Sequence, residues 1–140
     1  MKREQTRSEA RGETVWDASA LLVLLQREPG WRSLGERLAR GAMSAVNLSE
    51  VAAKLSDAGG ASEAVREVLG GLPLKIVDFT ADQAHRAAAL RRETRRLGLS
   101  LGDRACLALG QSLAVPVITA DRSWLELDLG TPIELVRPRG

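Results

Sequence analysis

The sequence predicts an α/β domain, a three-layer α/β/α sandwich built on a mostly parallel sheet of about five strands. Short β-prone runs alternate with helix-length runs from Thr14 onward. The segments between the β-prone runs are long enough to carry the chain back for a parallel neighbour, which a tight turn is not. Acidic residues also recur where a strand-like run gives way to a helix, the edge on which open α/β sheets bind ligands.

Taken in order, "MKREQTRSEARGE" at 1–13 has almost no apolar content and predicts a flexible tail, leaving one domain over 14–140. "TVW" from Thr14 is the first strand, and "ASALLVLLQRE" is a buried helix stopped by "PG". "WRSLGERLARG" reads as a second helix with a glycine stop, and "AMSAV" as a strand of small residues. "NLSEVAAKLSDAGG" and "ASEAVREVLGGL" have helical spacing, each ending on glycine, before the β-branched strand "LKIVDF". The longest helix is expected at "TADQAHRAAALRRETRRLG", 80–98. There follow the helix "SLGDRACLALGQSLA", the strand "VPVIT", a turn or short helix at "DRSWLEL" and a last strand "IELV".

A chain of 140 residues is the size of one domain with a sizeable core. Its 44% hydrophobic and 27% charged residues are those of a globular protein rather than a disordered one. The net charge of +2 excludes bulk charge as a sign of nucleic-acid binding, and the pI of 9.2 leans that way only slightly. One cysteine, Cys106, allows neither an internal disulfide nor a thiolate zinc site; it reads as a small core residue in a reducing cytoplasm. No apolar run approaches the roughly 18 residues of a membrane span, and the run at Ala20 to Leu25 lacks the flanks of a signal peptide.

Four acids stand at or just after strand ends: Asp17, Glu50, Asp103 and Asp121. Singly, each has a structural explanation. Asp17 can cap a helix, "NLSE" at Asn47 and "SLGD" at Ser100 resemble capping boxes, and Asp121 can cap a turn. Together they are harder to explain, because at ~4 Å and an effective dielectric near 20 each like-charge pair costs on the order of 4 kcal/mol. Either some of these acids are protonated or a hard cation lies among them, and oxygen ligands favour magnesium or manganese. The lone His85, in an Ala-rich helix, is a surface or interface residue; without a second histidine there is no Ser-His-Asp triad, Cys-His pair or His-rich zinc site. Metal-assisted phosphate-ester hydrolysis is the main catalytic option left.

These residues resemble those of the PIN-domain ribonucleases, and within them the VapC-like toxins of type II toxin-antitoxin systems. The resemblance spans 14–136 and rests on "DASALL", "SAVNLSEV", "LSLGDRACLALG" and "VPVITADRSW", in the family's order and approximate spacing. It implies a metal-dependent endoribonuclease in which Asp17, Glu50, Asp103 and Asp121 bind Mg2+ or Mn2+, activating a water for attack on an RNA phosphodiester. Ser19, Asn47 and Thr119 match polar positions that support those acids. It also implies a homodimer and a small cognate VapB-like antitoxin.

Arg91 to Arg96, with Arg104 and Arg122 beside two of the acids, are candidate phosphate partners. The alternatives are a solvated helix face for the run, interrupted by Glu93, and neutralisation of the acids by Arg104 and Arg122. Trp16 and Trp124 are expected in packing, which leaves Trp31 as the aromatic residue open to a base. Receiver domains and haloacid-dehalogenase-like phosphatases also place acids at strand ends. A receiver lysine is missing beyond Lys75, and the phosphatase's second Asp position holds Ser19. A nuclease of RNA maturation and a PIN-like binding module without turnover remain as competing functions.

Overall fold

The computed structural model describes residues 13–136, so the expected tail lies almost wholly outside the described residues. Five strands form one sheet: β1 (Thr14–Trp16), β2 (Gly41–Ser44), β3 (Lys75–Val77), β4 (Val117–Thr119) and β5 (Ile133–Leu135), in the order β3-β2-β1-β4-β5. Every pairing is parallel, with Val15 facing Ala42 on one side and Val117 on the other. Seven helices connect the strands: α1 (Ala18–Leu25), α2 (Trp31–Arg37), α3 (Ala45–Asp57), α4 (Ser62–Gly70), α5 (Ala81–Ala89), α6 (Arg91–Thr94) and α7 (Leu101–Leu113). The parallel sandwich expected from the alternation of elements is the fold observed.

The strand residues divide between the two faces of the sheet, as period-two side chains must. Val15, Ala42 and Val117 join one core with Ala87 of α5, Cys106 to Leu109 of α7, and Trp124. Their neighbours Trp16, Met43 and Ile118 join the other with Leu21 of α1, Leu34 of α2 and Val51 of α3. Trp16 and Trp124 are fully buried, as expected, and Cys106 is a free core thiol. Trp16 packs so closely on Gly41 that a Cβ there would collide with its indole nitrogen at 2.5 Å.

Three local expectations are corrected. The strand expected at "AMSAV" ends at Ser44, whose side chain accepts from the Val46 N–H at 3.1 Å and caps α3. Asn47 is therefore inside the helix, and "NLSE" is not a capping box. The long helix expected over 80–98 breaks into α5, α6 and a 3-10 turn at Arg95–Leu97. At the break, buried Thr94 turns its hydroxyl back to the Leu90 carbonyl at 2.9 Å, a bond that competes with the helical ladder and bends it. The longest helices are instead α3 and α7, of 13 residues each.

Sheet order reverses direction between β1 and β4, the switch point beside which α/β sheets open a crevice at the carboxyl ends of the strands. Asp17 follows β1 and Asp121 lies just beyond β4. α3 packs against α7, which brings the Glu50 carboxylate to the first turn of α7, where Asp103 stands.

Candidate functional site

Asp17 is the buried member of the set, 5% exposed, and caps α1 by accepting from the Ala20 N–H at 2.9 Å. The Ser19 hydroxyl donates to it at 2.7 Å and the Thr119 hydroxyl, from β4, at 2.6 Å. Those hydroxyls accept in turn from backbone: Ser19 from Ala120 N–H at 2.9 Å, Thr119 from Asp121 N–H at 3.0 Å. The strand end after β4 is thus tied to the Asp17 carboxylate by hydrogen bonds that run through both hydroxyls. Ser19 and Thr119, matched to supporting positions by the sequence, do lie against Asp17.

Burial pushes the Asp17 carboxyl up from 3.8 to about 6, outweighing the hydrogen bonds from Thr119, Ala20 and Ser19; the charge of Asp103 adds to the rise. A carboxylate this poorly solvated favours any nearby positive charge. Among the described residues no ion pair joins Arg104 or Arg122 to any of the four acids. Arg104 instead donates to the Ala87 carbonyl at 3.1 Å, between α7 and α5, which corrects the reading of it as a neutraliser.

Glu50 and Asn47 are three residues apart and share a face of α3. The Asn47 amide donates to Glu50 Oε1 at 3.0 Å and to the Gly102 carbonyl at 2.9 Å, and Asn47 is only 1% exposed. Its Oδ1 is buried without a partner. This amide joins α3 to the start of α7, where Asp103 stands. Asp103 closes a capping box with Ser100, as expected, its Oδ2 accepting from the Ser100 N–H at 2.9 Å.

Asp121 is exposed and folds back on its own turn, accepting from the Ser123 N–H at 2.9 Å and hydroxyl at 2.8 Å. As these side chains point, no group of three or more His, Cys, Asp or Glu among the described residues stands ready to hold a metal ion. The charge of Asp103 nevertheless reaches Asp17. Cys106, beneath them in α7, has its thiol pushed well up, by burial first and then by the charges of Asp17, Asp103 and Glu50. Cys106 is fully buried in the core beneath the edge, so the side chains that Asp17, Glu50, Asp103 and Asp121 offer there are oxygen donors, the set that suits Mg2+ or Mn2+.

Among the described residues, no hydrogen bond or ion pair joins the other candidates to the four acids. His85 is exposed on α5. Trp31 lies under the guanidinium groups of Arg27 and Arg32, at 5.1 and 4.7 Å from its ring centre. In the arginine run, Arg96 pairs with Glu126 at 3.2 Å, on the surface. An apolar groove of about 600 Å³, lined by Leu48, Ala52, Val65, Leu69 and Ile76, contains no carboxylate and opens on a different face of α3 from Glu50. Gly102, to which the sequence alone assigned no role, abuts the Glu50 carboxylate; an isolated glycine beside Asp103 in a helix was the available signal.

The family model of the PIN domain matches residues 14–129. No curated protein sequence matches the chain. Among solved structures, a toxin-antitoxin complex from Klebsiella pneumoniae superposes with a TM-score of 0.73 at 21% identity, covering 91% of this chain and all (100%) of that one. A DNA-bound VapBC from Salmonella typhimurium gives 0.69 at 17% identity, covering 89% of this chain and 98% of that one. A VapBC-5 complex from Mycobacterium tuberculosis gives 0.58 at 24% identity, covering 90% and 98%.

Proposed function

Because the chain belongs to the PIN-domain family, we propose that it is a metal-dependent endoribonuclease acting as the toxin of a type II toxin-antitoxin pair. The observation that carries this reading is the buried Asp17 carboxylate, held by hydroxyls from the first turn of α1 and the end of β4 and raised by burial to a pKa of about 6. The toxin assignment draws on the solved toxin-antitoxin complexes whose fold it shares.

In this reading Asp17, Glu50, Asp103 and Asp121 hold Mg2+ or Mn2+, and Ser19, Asn47 and Thr119 hold the acids. The bound cation supplies charge neutralisation and an activated water for attack on the phosphodiester. The chain's own part is orientation. Ser19 and Thr119 donate both their hydroxyl protons to Asp17, which favours its ionised form and fixes its plane. Asn47 fixes Glu50 relative to the first turn of α7. Asp103 and Asp121, bound only to neighbours in their own turns, can rotate to a new partner without disturbing the sheet. The same reading includes RNA as substrate, a VapB-like antitoxin as inhibitor, and a homodimer.

The test is to incubate total RNA with the purified protein and Mn2+, then sequence new 5′ ends. Discrete cuts, absent with chelator and with Asp17→Ala, are expected. A folded, antitoxin-free protein that makes none supports the binding-module reading instead. A short reading frame beside the gene would favour a toxin over a nuclease of RNA maturation.

A further inference from the structure

Gly102 is the second residue of α7, buried, with a backbone conformation that alanine can also adopt. A Cβ built on it would collide with the Oε1, Oε2 and Cδ atoms of Glu50. The Glu50 carboxylate therefore rests on bare backbone. Asn47 closes the arrangement from the other side, bonding Glu50 Oε1 and the Gly102 carbonyl with the same amide group. Both acceptors lack hydrogens, so the nitrogen of Asn47 must face them, and both of its N–H bonds are used.

We infer that Gly102 is a positioning residue: its missing side chain is the seat that decides where the Glu50 carboxylate points, with Asn47 as the clamp. The role of Glu50 as a ligand rests on the proposed function; the seat itself does not. The contrast with Gly110 in the same helix separates positioning from packing. A Cβ at Gly110 would run into Val117 of β4, inside the core. At Gly102 the obstacle is the tip of a flexible side chain. The three atoms nearest an alanine Cβ there all belong to Glu50, whose carboxylate cannot keep its place.

The inference predicts an uncommon combination in Gly102→Ala: a fold intact or firmer, and a site disturbed. The experiment is a cycle of wild type, Gly102→Ala, Glu50→Ala and the double variant, read by thermal unfolding without metal and by calorimetric Mn2+ titration. In the Glu50→Ala background, Gly102→Ala should raise Tm by about 1–4 °C, because alanine narrows the freedom of the unfolded chain. With Glu50 present that gain should be smaller or reversed. Gly102→Ala should weaken Mn2+ binding by roughly 10-fold or more, the scale for residues that orient ligands, and have no further effect once Glu50 is removed. An equal Tm change in both backgrounds would overturn the seat. Unchanged Mn2+ affinity in Gly102→Ala, beside a wild type that binds, would overturn the positioning role. A wild type that does not bind Mn2+ would sink the metal reading while leaving the Tm cycle to judge the seat.

Discussion

The two halves of the acidic edge are held by different means. Asp17 and Glu50 are fixed across the fold: Asp17 by Thr119 from the adjacent strand, Glu50 through Asn47 to a helix 55 residues farther along the chain. Asp103 and Asp121 are held by their own turns, with partners three and two residues away. The first pair is preorganised, for Asp17 at a cost in solvation that shows in its raised pKa. The second pair is free to re-aim, and Asp121 is exposed to solvent. A site for a charged substrate gains from both, since rigid groups set the geometry and mobile ones close around the ligand.

The largest expected effect breaks the rigid half. Asp17→Asn should lower RNA cleavage by at least ~10³-fold, on the scale of losing one electrostatic group at a reacting centre. The same variant should stabilise the metal-free fold at pH 7. A carboxyl raised from 3.8 to about 6 by folding costs about 3 kcal/mol when ionised in the folded state. The sign follows from proton binding. Between pH 4 and 6 the folded chain holds a proton that the unfolded chain has lost, so Asp17's contribution is full below pH 4 and is lost as pH rises through 6. Denaturant midpoints over that range should fall for wild type more steeply than for Asp17→Asn.

A smaller effect should follow Thr119→Val, which removes the 2.6 Å bond to Asp17 and keeps the shape of the side chain. Its expected signature is Mn2+ affinity lowered about 10-fold, with Asp17 titrating still higher, readable by carboxyl NMR. On the stability of the metal-free fold, the mildest change belongs to the locally held half. Asp103→Ala opens the capping box at its N3 position, and unfolding should report a loss of about 0.3–1 kcal/mol. If Asp103→Ala destabilised the fold as much as Asp17→Asn stabilises it, the division between rigid and mobile halves would be wrong.

What the sequence made legible was local. Asp17 after "TVW" and Asp121 after "VPVIT" could be placed because a strand end and the cap that follows it are adjacent in the chain. The capping box of Ser100 and Asp103 was readable for the same reason. Ser44, rather than Asn47, as the cap of α3 was missed because both residues suit a cap, and only the sheet register shows where β2 stops. The break near Leu90 and Thr94 was hidden in a run of good helix formers; tertiary burial of Thr94 overrode their propensity. Gly102 had no visible role because its meaning depends on Glu50, which only the folded chain brings against it.

The central claim is that the buried Asp17 carboxylate awaits a divalent cation, and proton release tests it most directly. Mn2+ is titrated at pH 5.5 by calorimetry in two buffers of different ionisation enthalpy. With a carboxyl near 6, cation binding at Asp17 should expel more than half a proton per ion, roughly 0.8, and Asp17→Asn should release almost none. Equal proton release from both proteins would place the cation elsewhere and contradict the account.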